Sequence, residues 1–252
     1  MTSLEDLSSS WKSLPDHVKV KFEKKYGRIV TLIRVRVQVP ALKAILSTWN
    51  PRYRVFSFSN IDTIPIIEEY KALLEIPYVA QNQIYLHLEH RQTWKRFAHI
   101  LGISAEEAKA KETVKGSTHG WYWTYIKKHL DLHIQDKQWE QVSLALALGI
   151  YSLILFPEPL GVITYSVTEL FWAVEKQNVN PIPTILAETF LTLTYCRRQG
   201  KGTIKCCSQL LHLWILSHIC PLETKGLTWY PDQPLIEKMT KLAISPKNEL
   251  QW

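Results

Sequence analysis

Apolar residues recur at helical spacing along most of the chain. In PDHVKVKFEKKYGRIV, Val18, Phe22, Tyr26 and Ile29 fall three or four apart, which places them on one helix face. Asp16 is the expected cap there and Gly27 the expected stop. LIRVRVQV, Leu32 to Val39, alternates apolar and polar, so a short strand competes with a helical turn. PALKAILSTW begins with Pro40, tolerated in a first helical turn, and ends before Asn50-Pro51, where proline steers its predecessor out of the α region. Residues 1–15 are Ser-rich and weakly patterned and read as a flexible N-terminal tail.

The stretch YRVFSFSNIDTIPIIEEYKALLEIP, from Tyr53 to Pro77, changes period. RVFSFS suits a short strand, with Phe56 and Phe58 on one face and Val55 on the other. NIDT reads as a turn; Asp62 or Thr63 is then the expected cap of a helix with Pro65 near its first turn. Glu68 and Glu69 suit the positive end of that helix, its apolar face is Ile66, Ile67, Tyr70, Leu73 and Leu74, and Pro77 ends it. Gln81 to His99 is mixed. SAEEAKAK opens with a capping box, Ser104 with Glu107. Between Trp121 and His133, the spacing puts Trp121, Tyr125, Lys128 and Leu132 on one side of a helix. After Asp136 a more apolar helix runs to Phe156. SVTELFWAVEKQ, PTILAETFLTLTYCRRQ and TIKCCSQLLHLWILSHIC are further helices, and DQPLIEKMTKLAI a short last one. With no repeat and no low-complexity linker, the pattern predicts a mainly α fold, one compact helical domain over residues 16–252 with a small early β element.

Composition narrows the setting. At 252 residues and 46% hydrophobic, the chain can bury a sizeable core. VSLALALGIYSLILF, Val142 to Phe156, is shorter than the roughly 20 residues a membrane-spanning helix needs, so it reads as a buried core helix. Cys196, Cys206, Cys207 and Cys220 make no disulfide framework, and the acidic start MTSLEDLSSSWKSLPDH does not read as a secretory signal; an intracellular compartment is expected. The net charge of +7 permits nucleic-acid or acidic-protein partners. The basic residues gather early, between Lys19 and Arg36, and again at Arg197, Arg198, Lys201 and Lys205.

Candidate chemistry is sparse. His129 and His133, four apart, could face one metal, but no further ligand has diagnostic spacing; His87 and His90 are no better placed. His212 and His218 flank Trp214, which suits polar tips against an aromatic core. Cys206 and Cys207 are adjacent, hence roughly 100° apart on a helix, and lack the C-x-x-C spacing of a redox pair, so they read as small buried hydrophobes. Neither G-x-S-x-G nor G-x-x-x-x-G-K nor G-x-G-x-x-G occurs, and no cofactor is indicated. A catalytic assignment therefore has no residues to rest on. The best anion or nucleic-acid site is RRQGKGTIK, where Arg197, Arg198, Lys201 and Lys205 surround a predicted helix start. HGWYWTYIKKH interleaves rings and basic residues, but at helical spacing that reads as core.

The order of these segments resembles the plant mobile domain superfamily, in particular its branch of uncharacterised proteins associated with transposable elements. The resemblance rests on Trp49, Asn50, Pro51, Phe56, Phe58, Pro65, Glu68, Glu69 and Tyr70, and continues in ALALGIYSLILFP, NPIPTILAETFLTL and GKGTIKCCSQLLHLWILSHI. Ile66 stands where that pattern has threonine, and longer relatives continue past Leu250-Gln251-Trp252, so a C-terminally truncated copy is expected. The resemblance implies a non-enzymatic, transposon-derived interaction domain, located in the nucleus and working with nuclear protein partners in genome maintenance or silencing. Direct nucleic-acid binding through the basic patch is the first alternative, and an enzyme with an unrecognised site the second.

Overall fold

The computed structural model describes residues 3–58, 61–77, 92–158, 161–200 and 204–219. In chain order, α1 (Ser3–Ser13), α2 (Asp16–Tyr26) and α3 (Val39–Ser47) precede β1 (Trp49–Asn50), β2 (Val55–Phe58) and β3 (Ile61–Thr63). Then come α4 (Ile67–Leu74), α5 (Thr93–Leu101), α6 (Ala105–Ala110), β4 (Thr113–Lys115) and β5 (Thr118–Tyr122). They are followed by α7 (Trp123–Gln135), α8 (Trp139–Ile150), β6 (Val162–Thr164), α9 (Tyr165–Gln177), α10 (Ile182–Gln199) and α11 (Ser208–Ile219). The fold is mainly α, as the periodicity implied. Its contacts gather into two compact units, one of residues 1–33 and 74–183, the other of residues 34–73 and 184–252.

The first unit is built around α8. Val142 and every residue from Leu144 to Ile150 are buried, and α1, α2, α5, α7 and α9 all pack on this helix. It continues as a turn of π-helix, Tyr151–Leu155. Among the described residues no helix is long and apolar enough to cross a membrane. Gly149 lets the packing close: a Cβ there would lie 2.6 Å from the Trp123 ring and 3.0 Å from Leu7.

That contact corrects the N-terminal expectation. Residues 3–13 are helix rather than tail, because Leu7, Trp11 and Leu14 sit at helical spacing and all are buried. In α2 the cap position is Pro15, which offers no side-chain acceptor; Asp16 lies inside the first turn and pairs with Lys19. Gly27 does stop the helix, at φ 67°, where its missing Cβ avoids the Leu74 carbonyl. The alternating LIRVRVQV segment forms no strand: a 3₁₀ helix runs from Gly27 to Arg34.

A second small sheet, β4-β5-β6, was not expected. Its strands are antiparallel, with Trp121 opposite Ile163. Trp121 is thus a strand residue, stacked on Phe97 with ring centroids 3.8 Å apart, and its indole N–H donates to the Ala108 carbonyl at 2.7 Å. With α7 starting only at Trp123, its buried face is Trp123, Ile126, Leu130 and His133, and Leu132 lies outside. The Ser104 cap holds: its hydroxyl accepts from the Glu107 N–H at 3.0 Å.

The second unit contains α3, the sheet β1-β2-β3, α4 up to Leu73, α10 from Thr184, and α11. Its core is aromatic. Trp49 stacks on Phe190 at 5.8 Å and meets Phe56 edge-on at 4.8 Å, while Phe56 lies 5.7 Å from Trp214. The expected strand is β2, with Phe56 buried and Phe58 half-buried. Ile61–Thr63 is β3, paired antiparallel with β2, where a turn was expected.

Candidate functional site: a basic-rimmed cleft on α10

Most residues of the motif behind the family resemblance are structural. Trp49, Phe56, Pro65 and Tyr70 are buried. Glu68 is exposed, whereas Glu69 ties the start of α4 to α11. Its carboxylate accepts from the Ile66 N–H at 3.0 Å, from the Trp214 indole at 2.8 Å, and lies 3.0 Å from His218 Nε2. Neither Asp62 nor Thr63 caps α4; the side chain that serves its free amide comes from inside the first turn. Ile66 and Ile67 stay exposed, so the inward face of α4 is Tyr70 and Leu74, with Leu73 half-buried.

The histidines and cysteines form no reactive constellation among the described residues, where no group of three or more His, Cys, Asp and Glu is placed to hold a metal. His133 is buried with both ring nitrogens engaged, Nε2 at 2.7 Å from the Leu101 carbonyl and Nδ1 at 2.6 Å from Gln138. His129 lies 3.7 Å from Glu107, and burial lowers its pKa. His212 departs from the expected polar tip: it is buried, neither ring nitrogen has a partner among the described residues, and burial lowers its pKa. His87, His90 and Cys220 lie outside the described residues.

Cys206 and Cys207 are fully buried, as expected of small hydrophobes. Burial pushes the Cys207 thiol up to about 12, although the N–H groups of Leu210 and Gln209 pull the other way, and Cys206 moves in the same upward direction.

The proposed basic patch is only partly assembled. Arg197 and Arg198 are exposed on the last turn of α10, which Gly200 follows at φ 64°. Lys205 is exposed, but α11 begins at Ser208, so Lys205 precedes the helix and does not frame its first turn. The sequence spacing misplaced that start because Cys206 and Cys207 look helical by hydrophobicity alone. Lys201 lies outside the described residues.

What the spacing did not reveal is a cleft beside Arg198. It has a volume of about 570 Å³ and is lined chiefly by Pro51, Arg54, Phe190, Leu191, Tyr195 and Arg198. Ala187, Leu191 and Tyr195 succeed each other at four-residue steps, one stripe along α10. Leu191 is 61% and Tyr195 59% exposed, unusual for an apolar stripe. The far wall is the β1–β2 turn, where the Asn50 side chain accepts from the N–H groups of Arg52 and Tyr53 at 3.0 and 3.3 Å. That turn holds Arg54 at φ 57°, a left-handed conformation that costs an arginine energy. No carboxylate of the described residues pairs with Arg54, Arg197 or Arg198.

The family described as Domain of unknown function (DUF7745) matches residues 6–252, nearly the whole chain, and the chain belongs to it. No curated protein and no solved structure matches the chain.

Proposed function

We propose that this member of a family of unknown function is a non-enzymatic interaction domain, derived from a plant transposable element and working in a nuclear protein complex linked to genome maintenance or silencing. The observation that carries the interaction reading is the α10 cleft, where exposed Leu191 and Tyr195 stand beside two arginines without ion pairs among the described residues. Apolar side chains left in water beside unneutralised charge are what a partner surface covers. The transposon and nuclear parts rest on the sequence resemblance alone, from the Trp49 to Tyr70 motif through ALALGIYSLILFP, NPIPTILAETFLTL and GKGTIKCCSQLLHLWILSHI.

A tagged full chain, introduced into plant cells, tests this. Nuclear proteins recovered with the wild type and lost with Leu191→Asp are the expected result. Identical recoveries from both, or a purely cytoplasmic chain, would contradict it. Direct nucleic-acid binding is the second reading, favoured by the exposure of Arg197, Arg198 and Lys205. It predicts affinity that falls steeply with salt, with a slope reduced by about one for each phosphate contact removed.

A further inference from the structure

The chemistry of the cleft specifies more than the presence of a partner. Its floor is hydrocarbon and ring: Phe190, Leu191 and Tyr195 from α10, with Pro51 opposite. From Ala187 to Tyr195 the stripe advances eight residues, or about 12 Å, roughly two helical turns. Side chains at four-residue steps on one helix mesh with side chains at the same steps on another, so a second helix lying along α10 fits this surface. A nucleic-acid strand would find Leu191 and Pro51 where phosphate contacts are needed, since backbone neutralisation supplies most of the affinity of such sites.

Charge then selects among helices. Arg54 closes the cleft on the turn side and Arg198 at the C-terminal end of the stripe, with Arg52 two residues before Arg54 and Arg197 adjoining Arg198, all exposed. Among the described residues that line the cleft there is neither aspartate nor glutamate. Guanidinium groups flanking an apolar floor match carboxylates flanking an apolar helix face. The backbone adds an independent indication: glycine or asparagine would occupy the Arg54 conformation at lower cost, yet a long cationic side chain stands there.

Building on the interaction reading above, we propose that the α10 cleft binds an acidic amphipathic helix of a partner protein, its apolar face on Leu191 and Tyr195 and its carboxylates on Arg54 and Arg198. The probes are two fluorescein-labelled helical peptides and a short single-stranded DNA, titrated by anisotropy into the full chain. One peptide carries leucines at i, i+4 and i+7 flanked by glutamates; the other has lysine in place of each glutamate.

The acidic peptide is expected to bind at least about tenfold more tightly than the basic one. Leu191→Asp should abolish its binding, and Arg54→Gly or Arg198→Ser should weaken it several-fold. Leu191 is exposed, so its replacement leaves the fold intact, which far-UV circular dichroism verifies. Equal binding of both peptides at a Leu191-dependent site would overturn the acidic chemistry while leaving an interaction surface. Absence of acidic-peptide binding up to about 100 μM would overturn the inference. So would a Leu191-dependent dimer of the chain that excludes both peptides. DNA binding that needs Arg197 and Arg198 but not Leu191 would overturn both the inference and the interaction reading of the cleft.

Discussion

Arg54 carries a cost that its side chain must justify. At φ 57° its Cβ is crowded against its own backbone, a strain that glycine would not have. Arg54→Gly should therefore raise stability in urea unfolding by about 0.5–1 kcal/mol, while weakening any ligand of the cleft. A loss of stability would mean that the guanidinium supports the fold instead. His212 sets a second expectation. Burial favours its neutral ring, so its folded pKa lies below the ordinary value of about 6.5. As pH falls, the unfolded chain takes up the proton first, and the stability from His212 is lost below about pH 6.5. His212→Leu should flatten that slope in unfolding curves collected between about pH 7 and 5, with a remainder from His129, whose pKa burial lowers too.

Between elements, two close contacts decide the packing. Glu69 brings the start of α4 to α11, and replacing it with alanine leaves the buried Trp214 indole N–H without its acceptor. Glu69→Ala should cost about 2 kcal/mol of stability, measured as a shift of the urea midpoint at unchanged slope. In the first unit, Gly149→Ala pushes a methyl group into the Trp123 ring and Leu7, and should cost about 1–3 kcal/mol by overpacking. Here the limits of a linear sequence become clear. The α8 core helix, the Ser104 cap and the Gly27 stop were legible because each is signalled within a few residues. The second sheet was not, since Tyr122 pairs with Val162 across a whole helical hairpin and Trp121 alone gives no sign of that register. The whole of α1 was missed for a related reason: only its partner, α8, makes sense of Leu7 and Trp11.

For the whole molecule, the net charge of +7 is less informative than its placement. Arg197 and Arg198 could be singled out from composition, but the apolar stripe beside them could not. Leu191 and Tyr195 have the spacing of core residues, and sequence does not tell an uncovered stripe from a buried one. The cysteines show the reverse case, since adjacency and context already pointed to burial. With the Cys207 thiol pushed up to about 12 and Cys206 shifted upward as well, neither should react with iodoacetamide at pH 8 until the chain unfolds. Mass spectrometry of the labelled peptides checks this.

The proposed docking of an acidic helix on α10 depends on apolar contact and not on charge alone. Its most direct measurement is the affinity of the acidic helical peptide for the wild type and for Leu191→Asp over a salt series. The expected result is binding that persists, weakened, at high salt in the wild type and is absent in the variant at every salt concentration. Equal affinities for the two chains, vanishing together as salt rises, would reduce the cleft to a cluster of arginines and contradict the claim.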